Sequence, residues 1–189
     1  MKQVRLLATL ALFLGIFLPS FAQKPIGKTM MVSYVDNTGR DVVLTWFTDT
    51  GKSVFYAWDT DIDNWAAYNV NMPATPLAPV SGKIMMVPYV DKTGRDVVLV
   101  WDTGSGKSVF YAWDTDIDNW APYEINIPAN PIPDAKGTIM MNPYVDKTDR
   151  DVVLIWDTVS GKSVFYAWDT DIDNWAPYEI NLPVNPAGK

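Results

Sequence analysis

The sequence predicts an all-β protein made of three tandem four-stranded antiparallel meander repeats of 55 residues each. Two observations carry this prediction. The sixteen letters GKSVFYAWDTDIDNWA occupy residues 51–66 and recur at 106–121 and 161–176. Within each copy, short β-branched and aromatic runs alternate with turn clusters, and no run has the 3.6-residue period of an amphipathic helix.

The second repeat shows how the strands and turns follow one another. Its predicted strands are residues 84–90, 96–101, 108–113 and 123–127, joined by a turn at 91–95, a turn at 102–107 and an acidic run at 114–119. Pro88 and Pro143 interrupt the first run of their repeats, and proline is confined to edge strands or bulges. We therefore expect the first strand of each repeat to be an edge strand or to be interrupted.

The middle strands are apolar on both faces, which is typical of strands that are covered on both sides. A single four-stranded sheet cannot provide this cover, so the repeats must pack on one another. Two packings fit equally well: a threefold closed body of the trefoil or prism kind, or propeller-like blades. An extended array of the three repeats is a third possible packing. Propellers need about four to eight blades, so three would require a partner chain.

A short stretch of each repeat is similar to one known blade. Val98 to Asp102, followed by Gly106 and Lys107, resembles the strand-turn end of a WD-repeat blade. The Gly-His element of that family is absent, and a repeat of 55 residues is longer than its blade of about 40–45. The resemblance implies a shared hairpin and no membership of the family.

Residues 1–22 have the layout of a secretory signal peptide: a basic start, an apolar run and small residues before a cleavage point after Ala22. The apolar run is too short to span a bilayer, although an uncleaved N-terminal anchor is the competing interpretation. The predicted repeats are residues 23–80, 81–135 and 136–189, which together form one repeat domain. We expect a bacterial protein that is extracellular or periplasmic, because the chain has no Cys for disulfides.

Each acidic run places three carboxylates at alternate positions, as calcium-binding loops begin. The candidate metal ligands are Asp59, Asp61, Asp63, Asp114, Asp116, Asp118, Asp169, Asp171 and Asp173. The pattern departs from an EF-hand, because no Gly follows the third acid and no Glu stands at the twelfth position. The alternative is a solvated connection in which the Asp side chains cap backbone amides of the turn.

An Asn-Trp pair follows each acidic run, and tryptophan rings beside carboxylates and amides are typical of sugar-binding sites. The candidate ligand-binding residues are Asn64, Trp65, Asn119, Trp120, Asn174 and Trp175. Three weak sites on one chain would gain strength by multivalency. The alternative is that the tryptophans fill the core beneath the loops, because large aromatic rings are usually buried.

The composition excludes several classes of function. A net charge of −7 argues against nucleic-acid binding, and the absence of Cys and His removes the usual nucleophilic triads and zinc ligands. Repetition fits binding better than catalysis, so we expect a secreted non-enzymatic carbohydrate-binding or adhesin-like protein. The alternative is a structural envelope or extracellular-matrix protein that assembles into homo-oligomers through its β repeats, with or without calcium.

Overall fold

The computed structural model describes residues 29–47, 52–72, 77–123 and 127–178, so the predicted signal peptide lies outside the described residues. The described chain forms strands and turns, and no helix in these ranges could cross a membrane. The twelve strands are β1 (Thr29–Val35), β2 (Asp41–Phe47), β3 (Lys52–Asp59), β4 (Asn64–Asn71), β5 (Ile84–Val90), β6 (Asp96–Asp102), β7 (Ser108–Asp114), β8 (Asn119–Pro122), β9 (Ile139–Val145), β10 (Asp151–Asp157), β11 (Ser163–Asp169) and β12 (Asn174–Tyr178).

The strands form three four-stranded antiparallel sheets, one from each repeat, each with its strands in chain order. This confirms the predicted meanders. We call the sheets blades 1, 2 and 3. The first strand of each blade lies at a sheet edge. Pro88 pairs with Val98 in this edge strand, where the N–H that proline lacks is not needed for hydrogen bonding between strands.

The fourth strand begins earlier than the sequence predicts. The acidic run contains a four-residue hairpin loop, residues 115–118, because Asp114 already pairs with Asn119 and Trp113 with Trp120. Asp118 closes the loop at φ 50°, a left-handed conformation that Asp and Asn tolerate better than most residues. The tryptophan that follows the acidic run is therefore a strand residue. Most of the predicted strand at 123–127 lies outside the described residues.

The blades pack face to face. We call the face of a blade that packs on the following blade its forward face, and the opposite one its rear face. In blade 2 the forward face comprises Val97, Leu99, Trp101, Phe110 and Ala112, and the rear face Met86, Val98, Val100, Tyr111 and Trp120. The rear face of blade 2 joins blade 1 in one apolar core, and its forward face joins blade 3 in a second.

This arrangement is that of propeller blades. β1 lies beside β5 and β5 beside β9, whereas β1 and β9 do not touch anywhere in the described chain. A threefold closed body would bring the first and third sheets together. The structure therefore follows the blade-like packing, and among the described residues no blade packs on the rear face of blade 1 or on the forward face of blade 3.

Buried carboxylates fix the segments that lead into blades 2 and 3. Asp102 is fully buried and accepts five hydrogen bonds, from Ser81 N and Oγ, Gly82 N, Gly104 N and Ser105 Oγ, at 2.7–3.1 Å. Asp157 holds Lys136 and Gly137 in the same way. Hydrogen-bonded donors stabilise the ionised form, so the pKa of Asp102 is well below its usual value although burial alone would raise it.

Candidate functional site: two clefts between blades

We call the interface between two adjacent blades a seam. Each seam opens into a cleft where the turn between the first and second strands of one blade meets the next blade. The first cleft, between blades 1 and 2, has a volume of about 360 Å³. Its lining residues are Asn37, Thr38, Arg40, Phe55, Tyr68, Asp96, Trp113, Thr115 and Asp118. The second cleft, between blades 2 and 3, has a volume of about 150 Å³. Its lining residues are Tyr89, Asp91, Lys92, Thr93, Arg95, Phe110, Tyr123, Asp151, Trp168 and Trp175.

The two clefts share one set of positions, because most lining residues of the second stand 55 residues after those of the first. Arg40 corresponds to Arg95, Asp96 to Asp151, and Trp113 to Trp168. The clearest difference is Asn37, which is replaced by Lys92. The repeat thus builds the same constellation twice.

Each cleft contains an arginine that is held in place by its own turn. The Nε and Nη2 atoms of Arg40 donate to Asp36 Oδ2 at 2.9 and 2.8 Å, a two-point contact that fixes the plane of the guanidinium. Arg95 binds Asp91 in the same way, at 2.9 Å for both atoms. Nearly half of each arginine side chain stays exposed, so the guanidinium is oriented yet accessible.

The turn also satisfies the rest of the carboxylate. Asp36 Oδ1 accepts hydrogen bonds from the Arg40 amide and from the amide and hydroxyl of Thr38, at 2.7–3.0 Å. Burial would raise the pKa of Asp36, but these hydrogen bonds and the guanidinium outweigh it and lower the pKa. Asp36 therefore remains ionised as a permanent support for Arg40.

A second carboxyl group crosses each seam. Asp96 Oδ1 accepts a hydrogen bond from Asn37 N of the preceding blade at 3.1 Å, and Asp151 Oδ1 accepts one from Lys92 N at 3.0 Å. Burial raises the pKa of Asp96 to about 6, and the nearby Asp36 charge adds to this effect. Burial also raises the pKa of Asp151. Each cleft thus combines a fixed cation with a carboxyl group whose charge is sensitive to pH.

Aromatic rings form the apolar part of each cleft. In the first, Phe55 stacks on Trp113 of the next blade with ring centroids 6.1 Å apart, and Tyr68 meets Phe55 edge-on. In the second, Arg95 lies over the Tyr123 ring, with its Cζ 5.1 Å from the ring centroid. Ring faces beside charged donors and acceptors suit a ligand with both hydroxyl groups and an apolar face.

The predicted sugar-binding tryptophans occupy three different environments. Trp120 and Trp175 are 4% and 7% exposed and belong to the cores between blades, which fits the alternative interpretation that they fill the core. Trp175 still reaches the wall of the second cleft, where it stacks on Phe110 at 5.1 Å. Trp65 is 40% exposed, because blade 1 has no preceding blade in the structure.

The three asparagines next to these tryptophans cap their own strands. The Oδ1 atoms of Asn64, Asn119 and Asn174 accept hydrogen bonds from the amides of the tryptophans that follow them, at 2.7–2.8 Å. None of the three lines either cleft. The structure therefore gives them a local role in the hairpin and does not bring them to the seams.

The acidic hairpins show turn capping rather than a cation cage. Asp59, Asp114 and Asp169 each accept a hydrogen bond from the amide two residues later, at 2.8–2.9 Å. The third acids, Asp63, Asp118 and Asp173, have φ values near 50°. Asp61, Asp116 and Asp171 are exposed at the loop tips. Within the described ranges, no three acidic side chains converge to hold a metal ion, so the geometry gives the calcium hypothesis no support.

The sequence pattern missed the residues that form the clefts. The arginines recur once per repeat, but they look like ordinary turn residues. Their partners across the seam, such as Asn37 and Asp96, stand 59 residues apart and belong to different repeats. The signal that could have found them is the replacement of Asn37 by Lys92 between the turns of the first two repeats, which are otherwise identical.

Comparisons with known proteins add information about the fold. No known protein family matches the sequence, and no curated protein matches it. The structure is similar to that of a protein from Lactobacillus plantarum, with a TM-score of 0.53 and 13% identity over 82% of this chain. A fucose lectin from Kordia zhangzhouensis, solved in complex with methyl-fucoside, has a TM-score of 0.42 and 16% identity, covering 81% of this chain and 100% of that one.

At these identities the first similarity shows a shared fold alone, and the second is too distant to add to it. This chain spans 42% of the length of the Lactobacillus plantarum protein. The fold is thus a repeated β architecture that also occurs in a longer chain.

Proposed function

We propose that this is a secreted, non-enzymatic carbohydrate-binding protein that takes one sugar unit in each cleft between blades. The observation that supports this most is the repeated constellation of a fixed guanidinium, a carboxyl group across the seam and aromatic rings. Binding explains such repetition, because each copy of the repeat then provides one more equivalent site.

The chemistry of a sugar fits the groups in the first cleft. Asp36 occupies the Nε and Nη2 edge of Arg40, and the Tyr68 hydroxyl also hydrogen-bonds the guanidinium, so a sugar hydroxyl would accept from the remaining N–H groups of Arg40 beside Tyr68. A further hydroxyl donates to the ionised Asp96, and the C–H face of the sugar ring packs on Tyr68 or Trp113. Because the arginine is held before binding, little side-chain entropy is lost when the ligand arrives.

This proposal keeps the predicted ligand class and changes the predicted site. The sequence places the sugar on the acidic hairpins and their tryptophans, whereas the structure buries two of those tryptophans. The hairpins still contribute, because Thr115 and Asp118 line the first cleft. Specificity would then depend on both the arginine turn of one blade and the acidic hairpin of the next.

Arginine variants test the proposal. A glycan array identifies the sugar that the unaltered protein binds best, and calorimetric titration with its methyl glycoside then gives affinity and stoichiometry. Arg40→Gln should weaken the first cleft about 10- to 100-fold, because a hydrogen bond from a charged group contributes about 1.5–3 kcal/mol. Arg95→Gln should do the same in the second cleft, and each should lower the apparent number of sites per chain.

A second variant and a control separate binding from folding. Tyr68→Ala removes a ring that is 44% exposed and packs edge-on against Phe55, so it should weaken binding strongly and lower the melting temperature by only a few degrees. Lys136→Gln removes an exposed positive charge away from both clefts and should change nothing. The proposal would be contradicted if the protein bound no glycan on the array. It would also be contradicted if a folded Arg40→Gln, Arg95→Gln double variant kept full affinity.

A further inference from the structure

Within the described residues no blade covers the rear face of blade 1, although it carries nearly the same residues as the buried rear faces of blades 2 and 3. Met86 and Met141 are each 3% exposed, and the equivalent Met31 is 71% exposed. Trp65 shows the same contrast with its two buried counterparts. The one change of residue type among the core positions of this face is Thr45, which stands where the other blades have Val100 and Ile155.

In the described chain the forward face of blade 3 is covered less completely than that of blade 2, although its Val152 and Ala167 are fully buried. Its residues Val152, Leu154, Trp156, Phe165 and Ala167 repeat the forward face of blade 2 letter for letter. Leu154, Trp156 and Phe165 are only partly buried, whereas the corresponding residues of blade 2 are fully buried. At the second seam, Trp101 Nε1 donates to Ile139 O of the next blade at 3.0 Å; Trp46 and Trp156 Nε1 have no acceptor in the described chain, so only burial separates the covered face from the less covered one.

These two faces are complementary to each other, because the same pair of faces already packs together twice within the chain. We propose that they are covered by a second copy of this chain, with blade 3 of each copy packed on blade 1 of the other. The new contacts continue the existing seams and close a ring of six blades. Six lies within the range of about four to eight blades that propellers use, whereas three copies would give nine.

Pairing would also complete a third cleft at each junction. Blade 3 supplies Arg150, held by Asp146 at 2.9 Å, and Tyr178, whose hydroxyl accepts from Arg150 Nη1 at 3.2 Å. The second copy supplies Asp41 and Trp58, which are equivalent to Asp96 and Trp113 of the first cleft. The ring follows from packing alone; only ligand binding in this third cleft rests on the proposed function.

Sedimentation velocity of the exported chain over a range of concentrations tests the ring. The expected species is a dimer. Met31→Glu places a charge at a position that both existing seams bury, as Met86 and Met141 show, and should convert the dimer to a folded monomer with unchanged far-UV circular dichroism. Ile62→Glu is the matched control, because Ile62, Ile117 and Ile172 are equally exposed at 59–61% whether or not a blade precedes them. It should leave the dimer intact.

A mixing experiment tests the orientation. Leu154→Glu damages the forward face of blade 3 and should also give monomers. A mixture of the Met31→Glu and Leu154→Glu chains retains one intact pair of faces, so it should recover dimers that neither variant forms alone. A monomer or an open-ended ladder of the unaltered chain would overturn the proposal, as would a dimer that persists in folded Met31→Glu. Loss of sugar binding with the dimer retained would overturn the proposed function and leave the ring standing.

Discussion

In the described chain blade 2 has a neighbouring blade on both faces, whereas blades 1 and 3 each have a neighbouring blade on one face only. The middle strands have almost the same residues in all three blades, yet every residue of β6 is buried, while β2 alternates between buried and less buried positions. β10 is intermediate. The difference teaches that burial in this protein is set by the neighbouring blade. The expectation that middle strands are covered on both sides is confirmed for blade 2, whereas in blade 1 the rear-face residues of β2 are only half-buried.

The largest effect should come from the joints that lead into the inner blades. Asp102→Asn replaces a buried carboxylate acceptor by a group whose amide N–H₂ faces other donors. We expect a loss of about 3 kcal/mol in the free energy of unfolding, measured by denaturant titration. Blade 1 has Phe47 at this position, so the effect belongs to blades 2 and 3 alone.

The same joint predicts a dependence on pH. The pKa of Asp102 is lowered in the folded chain, so its stabilisation is present above the ordinary pKa of 3.8 and is lost as the pH falls below it. Asp102→Asn should therefore cost less at low pH than at pH 7. Asp134→Asn, at a carboxylate 81% exposed, is the control and should be nearly neutral at both. If the two substitutions destabilised the protein equally, the buried carboxylate of Asp102 would have no special role in stability.

An intermediate effect should separate a covered face from an uncovered one. Trp101→Phe removes the hydrogen bond to Ile139 O and leaves a gap in a closed core, which should cost about 2 kcal/mol. Trp156→Phe at the equivalent place should cost clearly less, because no blade covers it. Both should be measured in the Met31→Glu chain, which keeps the face of blade 3 uncovered. Equal costs there would show that the neighbouring blade does not decide the burial.

The smallest effect should come from the carboxyl group at the first seam. The pKa of Asp96 is raised to about 6, so the folded chain holds this proton more tightly than the unfolded chain. The cost of ionising Asp96 therefore appears as the pH rises from about 4 to 6 and stays constant above that range. Asp96→Asn keeps an acceptor for Asn37 N and should stabilise the protein by about 1 kcal/mol at pH 7, because water screens part of the shift.

Thermal unfolding at several pH values measures this difference. The stabilisation by Asp96→Asn should fall to zero near pH 4, where Asp96 of the unaltered chain is protonated in both the folded and the unfolded state. The control Asp61→Asn changes an exposed carboxylate at a loop tip and should show no such trend. A stabilisation of Asp96→Asn that stays the same from pH 4 to 7 would contradict the assignment.

Much of the fold could be predicted because its signals are local. β-branched and aromatic runs gave the strands, Gly and Asp clusters gave the turns, and Pro88 marked an edge strand. The start of the fourth strand could not be predicted, because the acidic letters favour a loop. Pairing of Asp114 with Asn119 decides the register there, and it depends on the geometry of a four-residue turn.

The candidate site depended on the tertiary structure. Trp120 looked like a binding residue because it follows an acidic run, and packing against blade 1 buried it. Arg40 looked like a turn residue, and a cleft beside blade 2 made it a candidate ligand-binding group. Neither outcome can be predicted from the local sequence, because each depends on a residue of another repeat.

By itself the sequence determined the number of repeats, their strand content and the internal chemistry of each turn, since all of these arise from residues that are neighbours along the chain. Only the tertiary structure decided which of three equivalent side chains is buried, which is exposed and which faces a cleft. The physical reason is that the environment of a side chain on a sheet face is supplied by the sheet opposite, and in this protein that sheet always belongs to a different repeat.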